Sequence, residues 1–80
     1  MTIDILTLEK TLLSGEFKSV IVPGASGRFE MLNNHAPVVS LLTTGTIEVT
    51  NQNNEKSHID IISGSVEMSN NKITILAETE

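Results

Sequence analysis

The sequence contains no cysteine, tryptophan or tyrosine, and its only aromatic side chains are those of Phe17 and Phe29. The absence of cysteine excludes disulfides and thiolate metal sites. Only five basic residues stand against ten acidic ones, giving a net charge of −5. Binding of nucleic acid needs a basic surface and aromatic side chains that stack on bases, so no nucleic-acid partner is expected.

Long apolar runs are also missing, and none approaches the roughly 20 residues of a membrane-spanning helix. An acid, Asp4, stands near the N-terminus, where a signal peptide carries basic residues. We expect one domain over residues 1–80, cytosolic or peripheral to a membrane-bound complex. A fold of this length buries only about 60% of the surface that its unfolded chain exposes. A protein partner is therefore the remaining source of added stability.

What the sequence does contain is the period of β-strands. Apolar and polar residues alternate strictly in four segments, which are Thr46–Thr50, His58–Ile61, Ser65–Ser69 and Lys72–Ile75. Period two places all the apolar side chains of a segment on one face of a strand. Residues 7–13 show no clean helical stripe and are interpreted as strand, turn and strand.

Turn signals separate these segments at short spacing. Asn70 and Asn71 predict a two-residue turn because asparagine tolerates positive φ, and residues 51–55 predict a hairpin loop. The inward parity reverses between Ile61 and Val66, which predicts a bulge or sharp bend at Gly64. Many short strands with frequent turns indicate an all-β antiparallel sandwich or barrel. Structural turns or bulges are predicted at Gly15, Gly24, Gly27, Gly45 and Gly64.

Catalytic chemistry has little support in the sequence. His35 and His58 lack the spacing of metal ligands, and His35 is interpreted as a loop or interface residue. Residues 24–27 could imitate a phosphate-binding loop, but a strand pattern follows where a helix is required. We expect no catalytic residue, no metal site and no cofactor. The apolar side chains of Phe29, Met31 and Leu32 either fill the core or form a partner site.

Six motifs occur in the order and spacing of one known family. They are Leu6–Lys10 with Ser14–Glu16, Val20–Gly24 with Gly27, His35–Pro37, Gly45 with Ile47, Ser63–Glu67, and Ile73–Ala77. Together they resemble the N-terminal domain of the ε subunit of bacterial F-type ATP synthase, and the resemblance covers nearly the whole chain.

The resemblance implies a flattened ten-stranded β-sandwich without catalysis of its own. We expect no nucleotide binding, because the family members that bind ATP do so through two C-terminal helices that this sequence does not contain. It implies a rotor subunit in the central stalk that binds the γ subunit, rests on the membrane c-ring and couples proton transport to ATP synthesis. The expected location is the cytoplasmic face of the bacterial cell membrane. By position, it implies c-ring contacts at Arg28, Phe29, Glu30, Met31 and Leu32, and γ-subunit contacts at Thr7, His35 and Ser40.

The chain departs from the family at three places. Arg28 stands where the family has an acid, and because residues two apart on a strand point the same way, we hypothesise that Glu30 carries that negative charge. The Pro-Gly before the family's histidine is Asn33 and Asn34 here. The family usually continues beyond the position of Glu80 with two helices that can inhibit ATP hydrolysis. A complete chain of 80 residues would lack this switch.

Two alternatives stay open at this point. A small β-barrel that binds a ligand requires an interior cavity of about 300 Å³ or more. An enzyme that uses His35 with Asp60 or Glu67 requires these side chains within hydrogen-bond reach of one another.

Overall fold

The computed structural model describes residues 1–80 as nine β-strands without a helix. The strands are β1 Thr2–Leu6, β2 Thr11–Glu16, β3 Ser19–Gly24, β4 Gly27–Leu32, β5 Val38–Leu42, β6 Gly45–Thr50, β7 Lys56–Ile61, β8 Ser63–Ser69 and β9 Lys72–Glu78. All four alternating segments lie within strands. Residues 7–13, predicted as strand, turn and strand, form a turn over 7–10 and then the first residues of β2, because β1 already ends at Leu6. Nothing helical in the fold is long and apolar enough to cross a bilayer.

The strands form one curled sheet in the order β2-β1-β9-β8-β5-β3-β6-β7, with β4 on the free side of β3. Strands β5 and β3 share a single residue pair, Gly24 with Leu42. The sheet therefore divides into two halves, β2-β1-β9-β8-β5 and β4-β3-β6-β7, which fold over one another. This arrangement confirms the predicted β-sandwich.

Two details of the predicted sandwich need correction. The structure has nine strands, one fewer than the resemblance implies. The pairing is also not antiparallel throughout, because β1 and β9 run parallel, with Ile3 opposite Ile73 and Ile5 opposite Ile75. These two strands lie at opposite ends of the chain. No short loop joins them, so nothing forces the reversal of direction that a hairpin imposes.

The inner faces of both halves pack against each other in one apolar core of 14 buried residues. Eleven of their side chains are less than 2% exposed: Ile3, Ile5, Val20, Val22, Met31, Ile47, Val49, Val66, Met68, Ile73 and Ile75. Each contributes about 1.5–3 kcal/mol by leaving water. The interior is therefore filled by side chains, which argues against a ligand-binding barrel. An open groove of about 820 Å³ lies at one end of the sandwich.

Asparagine forms the tight turns. Asn70 and Asn71 have φ of 52° and 60°, and they make the predicted two-residue turn between β8 and β9. In the predicted hairpin loop, Asn51 Oδ1 accepts hydrogen bonds from the backbone N–H groups of Asn53 and Glu55, at 2.9 and 3.0 Å. The short polar side chain stabilises a backbone conformation that most residues avoid.

The bend predicted at Gly64 is misplaced. The chain turns at Ile62, between β7 and β8, while Gly64 lies inside β8 and pairs with Leu42 and Ala77. Gly64 is needed for a close approach, since a Cβ atom there would stand 2.5 Å from the carbonyl oxygen of Leu76.

The other four glycines vary in role. Gly27 follows the turn after β3 with φ of 127°, and Gly24 and Gly45 are the last residue of β3 and the first of β6. Gly15 lies within β2, but the register shift of that ladder falls between Ile5 and Leu6. Gly15 is therefore not the bulge.

We expect Gly64→Ala to lower the free energy of unfolding by about 1–3 kcal/mol, because the new methyl group must push β8 away from β9. Urea denaturation of both proteins measures this difference. Ser65→Ala, at the next position on the outer side of β8, is the matched control and should change stability by less than about 0.5 kcal/mol. Equal midpoints for Gly64→Ala and the parent chain would contradict the close approach.

Candidate interaction surfaces

The outer face of the β4-β3-β6-β7 half is covered by charged side chains, and we call it the charged face. Strand registers align its residues in rows, one of which runs Glu30, Ile21, Glu48 and His58. The exposed or half-buried charged residues of this face are Arg28, Glu30, Glu48, Lys56, His58 and Asp60. Two cations, Arg28 and Lys56, offset most of the charge of three acids, so the face carries a formal charge of −1 with histidine neutral.

Strand β4 places the residues predicted to contact the c-ring on two different sides. Arg28, Glu30 and Leu32 point outward and are exposed, whereas Phe29 is half-buried against the core. Met31 is fully buried. A direct contact of Met31 with a partner is therefore wrong for this fold, because its side chain fills the interior between the two halves.

Arg28 and Glu30 differ in how firmly they are held. Arg28 Nη1 donates a hydrogen bond to the carbonyl oxygen of Thr46 at 2.8 Å, which ties β4 to β6. Glu30 has no ion pair, and its carboxylate accepts no hydrogen bond within the chain. Its negative charge is thus free to meet a partner.

Glu48 is the centre of the one cluster of charges on this face that bond to each other. His58 Nε2 lies 2.9 Å from Glu48 Oε1, and Lys56 Nζ lies 3.7 Å from Oε2. The hydrogen bond from His58, with a smaller contribution from Lys56, holds the pKa of Glu48 below its ordinary value of 4.5. The cluster links β6 to the edge strand β7.

The three residues predicted to contact the γ subunit do not form one surface. The Thr7 hydroxyl accepts hydrogen bonds from the N–H groups of Glu9 and Lys10 and holds the β1–β2 turn. Ser40 pairs with Val66, so its half-buried side chain lies on the inner side of β5. His35 is exposed in the loop before β5, at the other end of the sandwich from Thr7.

The pairings that a catalytic site would need are absent. His35 Nδ1 lies 2.7 Å from the carbonyl oxygen of Ala36, its own neighbour. Asp60 accepts a hydrogen bond from the Thr46 hydroxyl at 2.6 Å, and Glu67 pairs across the strands with Val39 and Thr74. The enzyme alternative therefore has no support in the geometry.

The turn of Asn33 and Asn34 is fixed from outside. The Met1 ammonium donates a hydrogen bond to Asn33 Oδ1 at 2.6 Å, and the Asn34 N–H donates to Asn71 Oδ1 at 2.7 Å. These bonds tie the loop before His35 to β1 and to the β8–β9 turn. Contacts with other segments thus hold this turn in place.

Sequence reasoning missed a second surface, the outer face of β1, β9, β8 and β5 with the adjoining β1–β2 turn, which we call the leucine face. Strand registers place Leu41, Ser65, Leu76 and Leu6 in one row across it. Val39 and the loop residue Leu8 adjoin this row. The sequence feature that could have indicated this surface is β5, where two apolar residues stand on each side of Ser40. Apolar residues at both inward and outward positions are typical of a strand covered on both faces.

Acidic residues surround these leucines. Six of the chain's ten acidic residues and two of its five basic ones lie on or border the leucine face, which gives it a formal charge of −4 out of −5. They are Asp4, Glu9, Glu16, Glu67, Glu78 and Glu80, with Lys10 and Lys72. The two outer faces of the sandwich therefore differ in both apolar content and charge.

The family model described as ATP synthase, Delta/Epsilon chain, beta-sandwich domain matches residues 1–80. The chain is 41% identical over 76 residues to the ATP synthase epsilon chain of Protochlamydia amoebophila, spanning 95% of this chain and 52% of that one. It is 38% identical over 77 residues to the ATP synthase epsilon chain of Chlorobaculum tepidum, spanning 96% and 88%. The chain thus covers about half the length of the first relative and most of the second.

Solved structures with the same fold occur in two mitochondrial ATP synthases. A chain of the Euglena gracilis OSCP/F1/c-ring structure superposes with a TM-score of 0.88 at 18% identity, covering 94% of this chain and 48% of that one. A chain of the Tetrahymena thermophila central stalk/c-ring structure gives 0.81 at 15% identity, covering 98% and 63%. At these identities the likeness establishes the fold.

The lowered pKa of Glu48 makes its contribution to stability depend on pH. Since the folded pKa lies below the unfolded one, the contribution is complete above pH 4.5 and is lost as pH falls through the folded pKa. Glu48→Gln should therefore be less stable than the parent chain at about pH 7, with the gap closing as the pH falls below 4.5 and through the folded pKa. Urea denaturation at several pH values measures the gap. Glu67→Gln, which removes a carboxylate without a hydrogen-bond partner, should show a smaller change; an equal one contradicts the assignment.

Proposed function

Because this chain belongs to the family of ATP synthase delta/epsilon chain β-sandwich domains, we propose that it is a non-catalytic subunit of the central stalk of an F-type ATP synthase. In this role it links the γ subunit to the membrane c-ring and supports the coupling of proton transport to ATP synthesis. It acts at the cytoplasmic face of a bacterial cell membrane, peripherally, as part of the F1 complex. The observation that carries the proposal is the match to an ATP synthase epsilon chain over 88% of that relative's length.

The densely packed sandwich suits a subunit that is held between two partner proteins and transmits force between them. Eleven fully buried side chains fill the interior, and protein cores pack as densely as organic crystals. Such a body resists deformation and passes on a load applied to its surface. Its chemical variety lies on its two outer faces, where partners can reach it.

Strand β4 is the proposed contact with the c-ring. Arg28, Glu30 and Leu32 face outward from its exposed edge, and Phe29 supports them from the core side. The guanidinium of Arg28 is bonded to β6, while the Glu30 carboxylate has no partner within the chain. We therefore assign to Glu30 the negative charge that the family places at the position of Arg28.

The proposed contact with γ includes two exposed or half-exposed positions, Thr7 and His35. Ser40 could serve it only from the edge of β5, because its side chain lies on the inner side of that strand. The separation of Thr7 and His35 along the sandwich requires a γ surface that spans much of its length.

Replacing Glu30 by lysine should weaken assembly with the chain's own c-ring, since the substitution reverses the only unpaired outward acid on β4. The affinity-tagged chain is expressed in its native cells and purified from their solubilised membranes. The amounts of c-ring and γ subunit that purify with it are measured by mass spectrometry. The expected result is at least a several-fold lower recovery of the ring, with the parent chain recovering both partners.

Glu55→Lys is the matched control, because it makes the same charge change in the exposed β6–β7 loop. It should leave the recovery of the ring unchanged. Equal recovery with Glu30→Lys and the parent chain would refute the role of Glu30. Failure of the parent chain to recover either partner would refute the proposed function.

A further inference from the structure

The pairing of β3 with β6 ends before β3 reaches its turn. The ladder between these strands stops at the pair of Ile21 with Glu48. Pro23, two residues later, has no N–H to donate to a neighbouring strand. Its carbonyl oxygen accepts a hydrogen bond from the Thr43 N–H at 2.8 Å, so the side of Pro23 that lacks the donor faces the β5–β6 turn. Backbone bonds between β3 and β6 thus hold only the end of β3 that lies far from the turn.

The side chain of Arg28 connects β4 to β6 at this place. Arg28 pairs with Pro23 in the β3–β4 ladder, and its Nη1 donates a hydrogen bond to the carbonyl oxygen of Thr46 at 2.8 Å. Because β3 lies between β4 and β6, the side chain crosses the outer side of β3. Pro23 is buried, although it alternates with the inward-facing Val22 and so occupies an outward position. The apolar stem of Arg28 lying over Pro23 accounts for this burial.

Thr46 is itself held in place from two directions. The glycine at position 45 lets β6 approach β3 closely, since a Cβ atom on Gly45 would lie 2.9 Å from the Cβ of Pro23. The Thr46 hydroxyl donates a hydrogen bond to Asp60 Oδ1 at 2.6 Å, and Asp60 is the partner of Thr46 in the β6–β7 ladder. Hydrogen bonds of Arg28, Thr46 and Asp60 therefore link β4, β6 and β7 across the charged face.

Strand β4 depends on this link because it is an edge strand. Its only partner in the sheet is β3. A hydrogen bond from a charged donor is stronger than one between neutral groups, and an arginine guanidinium remains charged at any working pH. A segment that is already held in its bound position loses less conformational entropy when a partner binds it. The bond from Arg28 to Thr46 thus prepares the β3–β4 hairpin for a contact.

We propose that Arg28 is a positioning residue of the c-ring contact: it holds the turn end of the β3–β4 hairpin against β6 and does not itself touch the ring. This inference rests on the proposed function and narrows it. The positive charge that stands where the family has an acid is engaged within the domain. Glu30, the next outward residue of β4, is left to meet the ring.

Hydrogen–deuterium exchange of the full chain, measured by mass spectrometry, tests the hairpin without any partner. Arg28→Met keeps an apolar stem and removes the donor, so peptides covering residues 24–32 should exchange several-fold faster than in the parent chain. Arg28→Lys retains a charged donor and should restore much of the lost protection. Peptides covering β9, in the other half of the sandwich, should exchange as in the parent chain, which shows that the variants are folded.

Recovery of the c-ring from solubilised native membranes, relative to that of γ, tests the consequence for the partner. Arg28→Met should lower the recovery of the ring several-fold, and Arg28→Lys should come close to the parent chain. Arg28→Glu supplies the acid of the family at this position, yet it should lower the recovery at least as much as Arg28→Met, because it also lacks the donor. Lys56→Met is the matched control, since it removes the other cation of the charged face; it should change neither the exchange of the hairpin nor the recovery of the ring.

The outcomes separate this inference from the proposed function. Lower recovery of the ring with Arg28→Met but unchanged exchange of the hairpin overturns the inference in favour of a direct contact of Arg28. Faster exchange with unchanged recovery also overturns it, because the bond then serves stability alone. Higher recovery with Arg28→Glu returns the contact to position 28. In each of these cases the proposed function stands, whereas a parent chain that recovers neither γ nor the ring overturns both.

Discussion

The packing of two apolar inner faces against each other is the constraint on which this fold depends. A domain of 80 residues without disulfides has little else to offset the entropy of its backbone. Isoleucine, valine and methionine from both halves fill the interior, and each occupies every second position of its strand. The inward positions are thereby fixed by stability, which leaves the outward positions free to differ. Every surface property described above follows from that division of positions.

The outward positions have taken two different chemistries. One face carries charges of both signs that bond to each other, as Glu48 does with His58 and Lys56. The other carries exposed leucines surrounded by acidic side chains, and these leucines leave apolar area in contact with water. A surface that satisfies its own charges gains little from a tight partner, whereas exposed apolar area is favourable to cover. The two faces therefore differ in kind: one satisfies its own charges, and the other leaves apolar area exposed to water.

The sequence predicted what depends on neighbouring residues and missed what depends on distant ones. Period two identified the alternating strands, and asparagine identified the tight turns, because both are local properties. The parallel pairing of β1 with β9 joins the two ends of the chain, and no local pattern reports it. The parity change after Ile61 was read correctly, but its position was not, since Gly64 serves the approach of β8 to the Leu76 carbonyl.

The predicted contact residues show the same limit. The alternation of side chains along a strand predicts that Met31 and Leu32 face opposite ways. Only the assembled fold shows that Met31 is the buried residue of the two. The same holds for Ser40 and Leu41 on β5. The leucine face comes from residues far apart in sequence, from Leu6 to Leu76, and it becomes visible only when the registers of β1, β9, β8 and β5 bring them together. A resemblance to a family can indicate which positions contact a partner, but only the structure shows which of their side chains are exposed.

The link between the halves bears on how a load would cross this domain. Backbone pairing joins them along one short seam, where Gly24 meets Leu42, Ala25 N–H donates to the Leu41 carbonyl, and Thr43 N–H donates to that of Pro23. Elsewhere the halves meet through side chains of the core and through a few bonds of the connecting segments, such as that from the Asn34 N–H to Asn71 Oδ1. Close-packed side chains resist compression and sliding because any displacement opens gaps or forces overlaps. A load applied to the leucine face thus reaches β4 through the core. The stiffness of the domain therefore depends on the packing of its buried isoleucine and valine side chains.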